Sequence, residues 1–206
     1  MARHAAGGDE VHVLLLGRGV SSRGVDPQKS ASQQERLYAG AHLASEKLGA
    51  RNVVIHDFPD NAMDSVPRLD LAKVIEQAIE YLRPRIIYTH DAGDLNVDHV
   101  RVHEAVMIAA RPVPGQPVRS IYCFEVPSST GWRPGAGFTP NHFVDVSQTL
   151  HTKLAALACY EEEMRPWPHA RSLTAVEHLA RWRGATVGVP AAEAFVIGRQ
   201  IVHADS

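Results

Sequence analysis

Apolar positions along the chain fall into short runs and helical stripes that alternate. Val11-His12-Val13-Leu14-Leu15-Leu16 is an apolar run ended by Gly17-Arg18-Gly19, the pattern of a buried strand leaving its sheet at a glycine turn. From about Ser30, Leu37, Ala41, Ala44 and Leu48 recur at helical spacing, and Gly49 closes that helix as its C-cap. Val53-Val54-Ile55 predicts a second strand. Leu71, Ile75, Ala78, Ile79 and Leu82 then line one face of a helix that stops before Pro84, because the residue ahead of a proline is pushed out of the α region. Arg85 to His90 reads as a third strand, about Asp98 to Ala110 as a helix carrying Val102, Ala105, Val106 and Ala109, and Ser120 to Phe124 as a fourth strand. Beyond Glu125 come a loop rich in proline and glycine, a short strand near His142-Phe143-Val144 and helices over about Leu150 to Glu163 and Leu173 to Arg183. A last strand follows at Ala194 to Ile197.

Strands alternating with helices of this length predict an α/β chain with a Rossmann-like three-layer fold, a mostly parallel sheet and right-handed crossovers. At 206 residues, with no repeat and no linker, a single domain spanning 1–206 is expected. Lys plus Arg (21) against Asp plus Glu (23) gives a net charge of −2, which provides no field for nucleic acid or an anionic membrane. No apolar run approaches the roughly 18 residues of a membrane span, and the first ten residues lack the basic head and apolar stretch of a secretory signal, so cytoplasm is the expected location. Cys123 and Cys159 form no metal or redox spacing and read as buried small hydrophobes. The twelve histidines stand out, since histidine is both the commonest metal ligand and the side chain that titrates near neutrality.

Open parallel sheets bind ligands at the carboxyl ends of their strands. The ionisable residues that follow strands here are Arg18, Arg23, Asp57, His90, Asp91, Asp94, Asp98, His99 and Glu125. The segment from His90 to His103 holds three histidines and three aspartates between a strand and the helix after it. Asp98 at the helix start is explained equally by N-capping, and His103 by a solvated helix face beside the apolar stripe. His99 and His103 share a helix face, but Val100 stands where a zincin would have its catalytic Glu. No Gly-x-Gly-x-x-Gly follows any strand, which argues against a nicotinamide enzyme. Trp132 and Trp167 sit in proline-rich loops, where burial under the loop is the expected fate.

Thr89-His90, Gly93-Asp94-Leu95-Asn96-Val97-Asp98-His99 and His103-Glu104-Ala105-Val106 resemble the second signature of the LmbE-like (PIG-L) de-N-acetylases. Ser22-Arg23, Phe124 to Thr130 and Ala192-Glu193-Ala194-Phe195 are similar to a branch of the same family, so the resemblance spans nearly the whole chain. It implies a hydrolase that removes an acetyl or related acyl group from a small amino-sugar substrate with a divalent metal, usually zinc, in a family whose members are often homo-oligomers. A metal with an open position polarises the amide carbonyl and acidifies bound water, while a carboxylate moves the proton to the leaving amine. The resemblance makes His99 the metal ligand and Asp98 the supporting acid that orients a ring. Arg23, Glu125 and Asp94 become substrate-binding candidates, with a plain surface arginine as the alternative for Arg23 and a loop-anchoring carboxylate as that for Glu125.

The chain departs from the family in two places. The first signature, Ala-His-Pro-Asp-Asp-Glu, does not occur, and Met1 to Glu10 resembles the end of the first family helix. Two metal ligands and the usual base are therefore missing, the chain as written is expected to be inactive, and its first, central strand is expected to lie upstream in a complete form. The second departure is Asn96, where many members carry an oxyanion-stabilising His; an amide can donate a hydrogen bond there but no proton, so His90 is the candidate acid. The competing expectation is a catalytically inactive, truncated sugar- or nucleotide-binding Rossmann-like protein.

Overall fold

The computed structural model describes residues 1–19, 27–135 and 137–202. They divide into two compact units, one of Met1–Asp60 with Val144–Glu193 and one of Asn61–Phe143 with Ala194–Ser206. The architecture is the α/β, Rossmann-like fold that the alternation predicts.

In the first unit, α1 (Ala2–Ala6), β1 (His12–Gly17), α2 (Pro27–Lys47) and β2 (Asn52–Phe58) follow in order, and α5 (Leu150–Leu157) and α6 (Leu173–Ala185) complete it. β1 and β2 pair in parallel, His12 with Asn52 through Leu15 with Ile55. Helix α2 ends as its sequence predicts: Gly49 takes φ +71°, the Ala50 N–H reaches Ser45 O and the Gly49 N–H reaches Glu46 O. This pair of bonds satisfies the last carbonyls through a left-handed glycine. Ala41 and Ala44 on α2 are buried, while Val146, Leu150, Ala180 and Ala191 form a core that Val144 and Leu154 flank.

The second unit is built on a four-stranded sheet in the order β3 (Ile86–His90), β4 (Ser120–Phe124), β6 (Ala192–Gln200), β5 (His142–Asp145). β3 and β4 are parallel and in register, Ile86 opposite Ser120 and His90 opposite Phe124, whereas β6 runs antiparallel to β4. A 3-10 turn (Met63–Ser65) leads into α3 (Arg68–Leu82), which buries Leu71, Ala72, Ile75 and Ile79. It stops at Arg83, whose left-handed φ of 52° precedes Pro84. Helix α4 (Val97–Ala109) buries Ala105, Val106 and Ala109.

Several expectations change. The strands form a two-stranded and a four-stranded sheet rather than one, because among the described residues β1 and β3 each pair along one edge only. The helix expected to run to Glu163 ends at Leu157, and β6 is longer than the apolar run that announced it. Trp132 and Trp167 are 60% and 58% exposed instead of buried, and Cys159 is half-buried while Cys123 is buried as expected. Among the described residues no helix is long and apolar enough to cross a membrane.

Candidate active site

Parallel neighbours in register end at the same sheet edge. The segment after His90 therefore comes to lie beside the segment after Phe124, and the backbone bonds them, with the Leu95 N–H donating to Ser129 O at 3.2 Å. Helix α4 then begins at this edge. Its N-cap is Asn96, whose Oδ1 accepts the Asp98 N–H at 2.9 Å, so Asp98 lies within the first turn and is not the cap.

The centre of the site is a carboxylate and an imidazole. Asp94 is fully buried, and its Oδ1 lies 3.1 Å from His99 Nδ1 and accepts the Asn96 N–H at 2.8 Å. Its Oδ2 accepts the Ser129 hydroxyl at 3.1 Å and the Thr130 hydroxyl at 2.5 Å. Burial pushes the Asp94 carboxyl upward, but Thr130, the Asn96 N–H, Ser129 and His99 together outweigh it and hold the group below its ordinary value. His99 Nδ1 thus faces a carboxylate oxygen at 3.1 Å, with Ser129 Oγ at 3.4 Å, which favours a proton on that nitrogen over Nε2.

The ring-orienting carboxylate is thus Asp94, not the adjacent Asp98. Asp98 Oδ2 accepts the Asn61 N–H at 2.6 Å and Oδ1 the Met63 N–H at 2.9 Å, so its two oxygens anchor the 61–63 turn. That turn comes back to the cap, since Asn96 Nδ2 donates to Asn61 Oδ1 at 3.1 Å. The Asn96 amide is accordingly engaged at both ends, and one Nδ2 proton is left for any oxyanion.

His90 stacks on His99 with ring centroids 4.1 Å apart and planes 11° apart, and Phe124 tilts against it at 4.8 Å. Burial first, then His99 and His103, lower the His90 pKa to about 3 against the opposing effect of Asp94. Such a ring carries no imidazolium to donate at neutral pH, so the acid role expected of His90 gives way to that of a stacking partner. His103 is not on a solvated face: it is half-buried, and its Nδ1 donates to His90 O at 2.9 Å. Burial and Asp91 push the neighbouring Cys123 thiol up to about 11, which removes it as a nucleophile.

Glu125 follows directly on β4, half-buried at the same edge. Arg23 lies outside the described residues. Sequence reasoning missed Ser129, Thr130 and Asn61 as parts of the site; the register of β3 on β4 was the signal that could have brought the first two to Asp94.

The donor chemistry at His99 is that of a metal-ligating histidine, a ring fixed through one nitrogen by a carboxylate. Among the described residues, however, no group of three His, Cys, Asp or Glu could hold a metal ion. One imidazole is short of the three protein ligands that catalytic zinc requires, and these residues alone do not fit a resident zinc.

The fold is that of a Rossmann-like protein, and the paired Asp94 and His99 form a candidate site at the strand ends. The chain belongs to the PIG-L family, described as GlcNAc-PI de-N-acetylase, whose model matches residues 1–110. Among solved structures it is similar to the conserved protein TT1542 from Thermus thermophilus, at 24% identity over 98% of this chain and 87% of that one, with a TM-score of 0.71. It is also similar to GalB, the 4-carboxy-2-hydroxymuconate hydratase of Pseudomonas putida, at 21% identity over 98% and 89% of the two chains and a TM-score of 0.73. The N,N'-diacetylchitobiose deacetylase of Pyrococcus horikoshii gives a TM-score of 0.76 at 14% identity over 95% and 75%. A comparison with curated proteins found no match.

Proposed function

We propose that the protein is an amide hydrolase that removes an N-acetyl or other N-acyl group from a small amino-sugar derivative. Family membership supports the reaction class, and the observation that carries the reading is the buried Asp94 facing His99 Nδ1 at 3.1 Å, which turns Nε2 of the ring away from the carboxylate. In this reading a divalent metal, zinc by family, would polarise the amide carbonyl and acidify water, and it would need ligands beyond the one that the described residues offer. His99 Nε2 is the ligand that the described residues contribute. Asp94 fixes the ring, His90 covers its face, and the cap formed by Asn96 with Asp98 and Asn61 sets the start of the helix that carries it. Asn96 and Glu125 are taken as the groups that would meet the sugar amide and hydroxyls, and Arg23 is kept as a substrate-binding candidate.

Acetate release followed by proton NMR tests this, with N-acetylglucosamine, its glycosides and N,N'-diacetylchitobiose as substrates and Zn2+ added. Release by the wild type and its loss in His99→Ala are the results this reading requires, against the inactivity that the missing first signature leads one to expect. A folded, zinc-supplied protein that releases no acetate from any of them overturns the reading and leaves the non-catalytic sugar- or nucleotide-binding protein in its place.

A further inference from the structure

We propose that Ser129 and Thr130, in the segment after β4, are positioning residues that act through Asp94 to hold His99 in a single tautomer, proton on Nδ1 and lone pair on Nε2. The inference rests on His99 being the working imidazole of the hydrolase proposed above. It follows from a count of donors. A carboxylate has about four lone-pair sites. Three donors bond Asp94, the Asn96 N–H on one oxygen and the hydroxyls of Ser129 and Thr130 on the other, which leaves the first oxygen facing His99 Nδ1 at 3.1 Å.

The hydroxyls are themselves fixed. Thr130 Oγ1 accepts the Val126 N–H at 2.7 Å and turns its own proton to Asp94 Oδ2. The Ser129 N–H bonds Val126 O at 3.0 Å, and Ser129 O takes the Leu95 N–H, which ties the segment to the Asp94 loop on both sides. Ser129 Oγ also lies 3.4 Å from His99 Nδ1, so the hydroxyl meets both members of the pair. With Oδ2 filled, the carboxylate cannot turn about its last torsion, and Oδ1 stays aimed at Nδ1. A carboxylate freed on that side would rotate toward other donors, and the ring, held then by stacking on His90 alone, would populate both tautomers. In the second one Nε2 carries the proton and can neither ligate nor accept.

The test is the 15N spectrum of His99 in the full chain without added metal, recorded at mildly alkaline pH where the two ring nitrogens of a neutral histidine are distinguished as pyrrole-like or imine-like. The wild type is expected to show pyrrole-like Nδ1 and imine-like Nε2. Ser129→Ala with Thr130→Val, which removes both hydroxyls at nearly constant shape, is expected to give averaged resonances at both nitrogens. Thr130→Ser is expected to restore the wild-type pattern. If the double variant loses its dispersed amide spectrum, the two single variants are read in its place. An unchanged single tautomer in variants that keep their fold, or a wild type with its proton on Nε2, overturns the proposal. Acetate release gives a separate reading: a loss of about 10- to 100-fold in kcat with KM held, recovered in Thr130→Ser, is expected of a group acting through a ligand's partner. A wild type that responds in the spectrum but releases no acetate supports the positioning role and sinks the hydrolase reading alone.

Discussion

Replacing Asp98 separates structural support from chemistry at this site. Asp98 is 7% exposed, and its oxygens receive the N–H groups of Asn61 at 2.6 Å and Met63 at 2.9 Å. Both are bonds to a charged acceptor, worth roughly 1.5–3 kcal/mol each. Asp98→Asn keeps one carbonyl oxygen but turns an amide N–H2 toward the other backbone N–H, so one bond is lost and a donor faces a donor. A loss of about 2–3 kcal/mol is expected on that count. Asp98→Ala removes both acceptors, and the loss rises to roughly 3–5 kcal/mol, moderated by the water that reaches Asn61 at the surface. Asn61 sits in the left-handed region at φ 52°, a conformation that these bonds to Asp98 help to hold. Urea unfolding measures the change as a lower midpoint with the slope m preserved. The 15N pattern of His99 is expected to stay that of the wild type, since Asp94 holds its Nδ1. An Asp98→Asn protein within about 0.5 kcal/mol of wild type, or one whose His99 loses its tautomer, would refute this division of labour between the two aspartates.

His90 predicts a pH dependence. Its folded-state pKa of about 3 lies below the ordinary 6.5, so between those values the unfolded chain binds a proton that the native one does not. Stability present above pH 6.5 is therefore lost as the pH falls toward 3, with a slope of about 1.4 kcal/mol per unit that His90→Phe should flatten; equal slopes in the two proteins would count against a buried neutral ring. Gly184→Ala tests close packing in α6: helix propensity favours alanine by about 1 kcal/mol, but the new Cβ would stand 2.5 Å from Val189 O and 2.7 Å from the Ala191 Cα, so thermal melting should show net destabilisation. Leu71→Ala, at a fully buried position, should cost about 2–5 kcal/mol in urea, against about 0.5 kcal/mol or less for Trp132→Ala on the surface, and similar losses would contradict the assigned burial.

What the sequence made legible was whatever a local pattern encodes. The β3 run, the α4 stripe, the Gly49 cap and the stop ahead of Pro84 each need only neighbours within a turn or two, and each stands in the structure within a residue or so of its reading. The two aspartates were exchanged because they differ in nothing local: one lies beside His99 in sequence, the other five positions before it, and the helix start falls between them. Where Asp98 points is decided by Asn61 and Met63, and what holds Asp94 is decided by Ser129 and Thr130, all more than thirty positions away. A Ser-Ser-Thr stretch after a strand looks like any polar turn until the partner strand's register is known. His103 was misread because a helix stripe gives the apolar direction but not the backbone carbonyl, His90 O, that a polar ring beside it can reach.

The fold by itself does not choose the reaction, since GalB, a hydratase, shares it with the Pyrococcus horikoshii deacetylase. Both reactions deliver water to an electrophilic carbon, and they differ in where the proton must end. Amide hydrolysis has to protonate a leaving amine, which calls for an acid that is charged or acidic near neutrality and close to the scissile bond. His90 is excluded from that duty by its pKa of about 3, Cys123 by a thiol held near 11, and Asp98 by the two backbone donors that occupy its oxygens. Asp94 is excluded by burial, for a carboxylate with every lone pair engaged cannot reach a substrate. His90, Asp94 and Asp98 are therefore arranged around one imidazole, that of His99, rather than as proton donors to a substrate. Glu125, half-buried next after β4, is the carboxylate nearest in the chain to the latch of Ser129 and Thr130, and its replacement by Gln is the variant that tests such a duty in the proposed hydrolysis.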